Sequence, residues 1–245
     1  MCSSDLMREL LAAGVPFASI TFLHGPSGGK TLVFARGSLA GSCGLPDVDR
    51  DLAERAGSLL EGDRGADLVE AGHAAFVDVL RPPPRLLIFG AGDDARPLAA
   101  LAAAAGFEIT VIDHRPAYLT AERFPPPLRL ALRRPSDGVA GLPLGISRKN
   151  FAVVQTHALA HDRDWLRSRA RQPLAYVGLL GPRSRRELVL RALDWNGVDL
   201  FAPVGLDIGA DGPEQVAVSI VAELLAVNAR REPTHLRARA GGIHG

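Results

Sequence analysis

Hydrophobic and polar positions along the chain follow two different rhythms that meet at Arg81-Pro82-Pro83-Pro84-Arg85. Three consecutive prolines fix φ and remove three backbone donors, so this segment predicts an extended, semi-rigid linker over 81–85. Before it, Phe17–Phe22 and Lys30–Phe34 read as short strands joined by the turn-rich His24-Gly25-Pro26-Ser27-Gly28-Gly29. A helix is predicted over Asp49–Leu60 and stopped by Gly62, and Ala75–Leu80 reads as a strand running into the linker. Residues 1–80 are therefore expected to form a small α+β domain.

After the linker, short apolar runs alternate with helical segments. Strands are predicted at Leu86–Phe89, Glu108–Ile112, Phe151–Gln155 and Ala175–Leu180. Helices are predicted at Ala95–Ala105, Asp162–Arg171, Arg183–Trp195 and Pro213–Arg230. Apolar strands separated by helices imply parallel pairing with crossovers covering both faces, because parallel neighbours cannot be joined by a tight turn. The expected fold class is α/β, a small α+β domain followed by a Rossmann-like, doubly wound parallel sheet over 86–230. The segment 123–149 is Pro-rich and weakly patterned, and the basic tail 231–245 has no periodicity and reads as a frayed terminus.

Composition narrows the function classes. Lys plus Arg is 28 against 27 Asp plus Glu, a formal net charge of +1, so nothing draws the whole molecule toward nucleic acid or an anionic membrane. Only Cys2 and Cys43 are present, too few for a disulfide scaffold or a cysteine-built zinc site. No apolar stretch is long enough to span a bilayer, and the expectation is a cytoplasmic protein. The opening six residues read as a poor domain start, as if the N-terminus were altered or truncated.

Candidate chemistry lies in the loops after the strands. Gly90-Ala91-Gly92-Asp93-Asp94-Ala95 gives G-x-G-x-x-A between a strand and a helix, where Gly90, Gly92 and Ala95 allow close backbone approach to a phosphate. Asp113, ending the next strand, stands where an acid takes a ribose hydroxyl. Asp93 and Asp94 put negative charge into the same turn, and capping of the helix is an equal reading. Arg183, Arg185 and Arg186 open a helix, an unfavourable place for cations unless an anion compensates them; either a phosphate-bearing ligand or pairing with Glu187 and nearby acids would do so. Gly205-Leu206-Asp207-Ile208-Gly209 forms a third loop before Pro213. His157 ends a strand on the same edge and suits proton transfer or hydrogen bonding, whereas His157 and His161, one helical turn apart, lack a third metal ligand. Cys43 lies in Gly41-Ser42-Cys43-Gly44, where a thiolate of lowered pKa is one reading and an inert buried side chain the other.

These blocks together resemble the XdhC/CoxI family, accessory proteins of xanthine dehydrogenase and related molybdenum hydroxylases. The resemblance is carried by Pro84–Ala95, Val111-Ile112-Asp113-His114-Arg115-Pro116, Thr156-His157, Tyr176–Arg183 and Gly205–Gly209, in that order. Gly28-Gly29-Lys30 and Gly41-Ser42-Cys43-Gly44 look like the first domain's glycine-rich segments, although its usual longer loop is shortened and the acid that often follows the cysteine is missing. The resemblance implies a non-catalytic role: binding the molybdenum cofactor, as molybdopterin or its dinucleotide form, during sulfuration by a cysteine desulfurase, and delivery to the apo molybdenum hydroxylase. Homo-oligomers are a further expectation. It also implies that Cys43 stands near molybdenum and that Gly90, Gly92, Ala95, Asp113, His157, Arg183, Gly205, Asp207 and Gly209 bind the cofactor. The rival reading is an NAD(P)-dependent oxidoreductase on the same Rossmann-like elements, and a third is a scaffold that only bridges partners.

Overall fold

The computed structural model describes residues 2–62, 66–70, 74–139, 142, 150–169, 174–193, 195 and 199–238. Two compact units divide between Pro82 and Pro83. The predicted helix end at Arg171, like parts of 123–149 and of the 231–245 tail, lies outside the described residues.

The first unit contains α1 (Ser3–Ala12), β1 (Phe17–Phe22), β2 (Thr31–Ala35), β3 (Ser38–Ala40), α2 (Pro46–Glu61), β4 (Ala66–Glu70) and β5 (Ala74–Leu80). Its antiparallel sheet has the order β3-β2-β1-β5-β4. Alternation along β1 sends Ala18, Ile20 and Phe22 to one face, where Leu52, Ala56 and Leu59 of α2 pack at helical spacing. Phe17 faces the other way with Leu10 of α1. In helix α1, Leu6, Met7 and Leu10 form an apolar stripe that packs with Phe17 and Val33. Strands β3 and β4 have no counterpart in the sequence pattern; β3 is three residues long and sits in a glycine-rich segment. Arg81 donates to the carbonyls of Leu59 and Gly62 at 2.7 Å each, placing a cation on the orphan carbonyls that end α2.

The second unit contains β6 (Arg85–Phe89), α3 (Ala95–Ala104), β7 (Glu108–Asp113), β8 (Arg129–Leu132), β9 (Asn150–Val154), α4 (Leu159–Arg169), β10 (Tyr176–Leu179), α5 (Arg183–Arg191), β11 (Leu200–Phe201) and α6 (Pro213–Asn228). The sheet order is β11-β10-β9-β6-β7-β8 and every pairing is parallel. Counted within the unit this is 6-5-4-1-2-3, the Rossmann order, and the order reverses between β6 and β9. Leu86, Ile88, Phe151 and Val153 face α3 and α6, whereas Leu87, Phe89, Ala152 and Val154 face Trp165 and Leu166 of α4 and Val189 of α5. Strands with both faces covered have no polar alternation, which is why these runs are continuously apolar. β8 and β11 escape prediction because one lies in the weakly patterned segment and the other has two residues. No helix among the described residues is long and apolar enough to cross a membrane.

Candidate functional site

The carboxyl ends of β6, β7, β9 and β10 share one edge, and the first glycine turn leaves it between β6 and β9. Gly90 has φ +112°, and a Cβ there would lie 2.5 Å from the Gln155 carbonyl oxygen and 3.1 Å from Thr156 Cα. Glycine is required because the two strand ends run against each other here. Gly90 N donates to Ile112 O and Ala91 N to Asp113 Oδ2, at 2.9 and 2.7 Å. The next three N–H groups, of Gly92, Asp93 and Asp94, have no acceptor among the described residues. They precede Ala95, the buried first residue of α3.

Asp113 is buried and its acceptor positions are filled by the protein. Oδ1 accepts from Arg115 N and Nε at 2.9 and 3.0 Å, and Oδ2 from Ala91 N and Arg115 Nη2 at 2.7 and 2.8 Å. A carboxylate offers about four such positions, so a ribose hydroxyl finds none free. Desolvation pushes the Asp113 carboxyl up, but the Arg115 side chain and the two backbone donors outweigh it and bring the pKa down to about 2. The Arg115 guanidinium lies over the Tyr118 ring at 3.9 Å, and Arg123 stands 5.1 Å from the same ring. Asp113 thus ties the glycine turn to β7.

The two aspartates of the turn do not cap α3 with their side chains, contrary to the capping alternative. Asp93 pairs with Arg123 and Asp94 with His157 Nε2, both at 2.8 Å. Asp94 Oδ1 is buried without a hydrogen-bond partner and lies 2.7 Å from where a Cβ of Gly92 would stand. His157 has φ +57° and a largely exposed side chain. Because α4 starts only at Leu159, His157 and His161 do not form a helical pair: the His161 ring stacks edge-on with His114 at 4.8 Å. Among the described residues no group of three or more His, Cys, Asp or Glu is placed to hold a metal ion.

The arginine loop separates into two roles. Arg185 Nε donates to Asp162 Oδ2 at 2.7 Å; Asp162 is fully buried and also accepts from the Thr156 hydroxyl and N–H. This bond network joins the end of β9 to the first turns of α4 and α5. Arg183 and Arg186 are exposed and have no acidic partner among the described residues, and Glu187 reaches Arg191 instead. Pairing with Glu187 therefore does not compensate the first turn.

In the third loop, Gly205 has φ +100° and a Cβ there would meet Ser219 Oγ at 2.5 Å. Gly205 N donates to Glu223 Oε2 at 2.9 Å, the Tyr176 hydroxyl donates to the same oxygen, and Ser219 Oγ donates to Leu206 O at 2.6 Å. Burial and the neighbouring Glu223 carboxylate push the Tyr176 phenol well up. The loop base is fixed to α6, while Asp207 and Gly209 at its tip are exposed.

Cys43 belongs to the first unit and is buried against Leu52 and its neighbours. Its N–H and the Ser42 hydroxyl donate to Asp49 at 2.9 and 2.6 Å, and Ser27 Oγ donates to the Cys43 carbonyl. Burial, with the Asp49 carboxylate beside it, pushes the thiol up. Of the two readings of Cys43, this arrangement favours the inert buried side chain over the activated thiolate.

Sequence reasoning passed over Arg115, Arg123, Asp162, Gln155 and Glu223. Arg115 carried a signal, since an Arg two residues after a strand-end Asp can fold back onto it. The contacts of Arg123 with Asp93, of Asp162 with Arg185 and of Glu223 with Gly205 span 18 to 30 residues and carry none.

A family model described as the XdhC Rossmann domain matches residues 86–224. The chain is 40% identical over 155 residues to a protein of Bacillus subtilis (strain 168) described as a probable xanthine dehydrogenase subunit, covering 63% of this chain and 46% of that protein. It is 38% identical over 219 residues to the uncharacterized protein YqeB of Escherichia coli (strain K12), covering 81% of this chain and 40% of that protein. The chain thus spans less than half the length of these curated relatives. A crystal structure described as a xanthine dehydrogenase from Bacillus halodurans shares the fold, with a TM-score of 0.58 at 20% identity over 95% of this chain and 97% of that one.

Proposed function

The chain belongs to the XdhC family, and from that premise we propose that it is an accessory protein of a xanthine dehydrogenase-type molybdenum hydroxylase that binds the molybdenum cofactor and delivers it to the apoenzyme. One observation supports this reading most: Arg183 and Arg186 stand exposed and unpaired, among the described residues, at a helix start whose field disfavours cations. A phosphate group compensates both at once, and the molybdenum cofactor carries phosphate in either of its forms. The residues present fit its phosphate end: Arg183 and Arg186 hold it, and the N–H groups of Gly92, Asp93 and Asp94 supply further donors on the same sheet edge. When bound, the group supplies the metal and dithiolene chemistry that the client enzyme uses. The chain's own residues bind and orient it. Sulfuration by a cysteine desulfurase fits as a step performed on the bound cargo by that partner, whereas Cys43 lies buried in the first unit.

The nicotinamide reading loses its ribose ligand to the saturated Asp113. The test is reconstitution. Purified protein from cells making the cofactor is mixed with an apo molybdenum hydroxylase, and activity is followed. Restoration of activity, lowered in Arg183→Ala/Arg186→Ala, is expected. No restoration, together with saturable NAD(P)H oxidation by the protein alone, would replace the proposal with an oxidoreductase.

A further inference from the structure

A helix that covers a sheet buries an apolar stripe and turns a polar side to water, whereas a helix apolar all round is buried all round. Helices α3 and α6 break that rule. They pack side by side over the sheet through Leu98, Ala99 and Ala102 of α3 and Ala217, Ile220 and Leu224 of α6. In its 16 residues α6 carries only two charges, Glu214 in its first turn and Glu223, whose carboxylate is taken by Gly205 N and the Tyr176 hydroxyl. Its outward side is a seam of Gln215, Val218, Ala222, Leu225 and, just past its end, Ala229, at alternating three- and four-residue spacing. Val218 is 48% and Leu225 43% exposed. Helix α3 widens the patch with exposed Ala100, Leu101 and Ala104, and its one charge is Arg96 in the first turn. An uncharged face of this extent marks a surface that another molecule covers.

The seam is complementary to itself. Glu214 and Arg230 lie equally far from Ala222, one before it and one after, and both are exposed with no partner among the described residues. A twofold axis crossing α6 at Ala222 sets each Glu214 beside the partner's Arg230, whereas parallel pairing sets Glu214 beside Glu214. Antiparallel docking also opposes the two helix dipoles, and the small side chain at the axis lets the backbones approach closely. Area sets the strength. Helices of 10 and 16 residues are about 15 and 24 Å long and about 10 Å wide, a flat footprint of roughly 400 Å² per copy. A standard stable interface buries about 800 Å² per partner, so this contact belongs with reversible dimers that dissociate at micromolar concentration.

We propose that the outer face of α3 and α6 is an antiparallel, twofold interface between two copies of this chain. The proposal does not depend on what the sheet edge binds. Both helices start at the edge that carries the glycine-marked loops, so antiparallel docking sends the two edges to opposite ends and leaves both open.

Sedimentation velocity of the full chain from about 1 to 200 μM at low ionic strength tests it. Wild type is expected to pass from monomer to dimer across this range. Val218→Lys/Leu225→Lys is expected to self-associate at least about tenfold more weakly, with an unchanged melting temperature because both side chains are exposed in the single chain. Glu214→Arg and Arg230→Glu are each expected to weaken the dimer about fivefold, and the exchange Glu214→Arg/Arg230→Glu to restore it. A wild type that stays monomeric overturns the proposal and leaves the face to a different protein. A dimer indifferent to Val218→Lys/Leu225→Lys overturns the choice of face, and one that the charge exchange fails to restore overturns the antiparallel arrangement. Assembly beyond a dimer overturns the twofold closure.

Discussion

At the scale of single residues, burial decides which groups are chemically available. Asp113 is ionised inside the protein by Arg115 and two backbone donors, with its pKa depressed from 3.8 to about 2. A depressed carboxyl stabilises the fold above 3.8, and that contribution is lost as pH falls toward 2; it amounts to about 2 kcal/mol at neutral pH. Asp113→Asn is expected to lower stability by about 2 kcal/mol and to flatten the acid limb of a stability–pH curve measured by urea unfolding. An acid limb unchanged by the substitution would show that Asp113 does not carry it. The two cysteines should separate in the same way. Cys2 is exposed and its thiol is lowered by a hydrogen bond with Ser4, whereas burial raises that of Cys43. Timed alkylation with iodoacetamide at about pH 8, read by mass spectrometry, is expected to modify Cys2 first and Cys43 only on unfolding. Equal rates would return Cys43 to the set of accessible thiols.

At the scale of elements, the sheet edge is held by contacts that no local pattern reveals. Strands β6, β7, β9 and β10 were legible because strands buried on both faces must be apolar throughout, and α3, α5 and α6 because each follows a glycine-marked turn. Their ends were less legible: α5 stops at Arg191 rather than Trp195, and α1 was missed because its stripe of Leu6, Met7 and Leu10 makes sense only against Phe17 and Val33. The Thr156–Asp162–Arg185 network is one of the hidden contacts. Removing the charge with Asp162→Asn strands the Arg185 guanidinium against a buried amide and is expected to cost about 3 kcal/mol, seen as a fall in melting temperature. A cost near zero would mean that the pair is dispensable packing. Gly90→Ala places a methyl 2.5 Å from the Gln155 carbonyl at φ +112°, and is expected to cost more than about 2 kcal/mol or abolish soluble expression.

At the scale of the whole molecule, a parallel sheet whose order reverses between β6 and β9 brings three glycine-marked loops to one edge, which the sequence pattern already implied. Which side chains there remain open was not legible, because it depends on partners far along the chain. Asp113 looked available from its position and is saturated by Ala91 and Arg115, while the arginine loop left a phosphate ligand and pairing with Glu187 or nearby acids equally open, and the structure pairs Arg185 with Asp162 and leaves Arg183 and Arg186 unpaired among the described residues. In the proposed function those two arginines hold the phosphorylated cargo. The most direct measurement is molybdenum by metal analysis and released pterin by fluorescence on protein purified anaerobically, for wild type and Arg183→Ala/Arg186→Ala. Near-stoichiometric molybdenum and pterin in the wild type, with at least about a tenfold loss in the double variant, is the predicted result. Wild-type protein free of both, or a double variant that retains them fully, would contradict it.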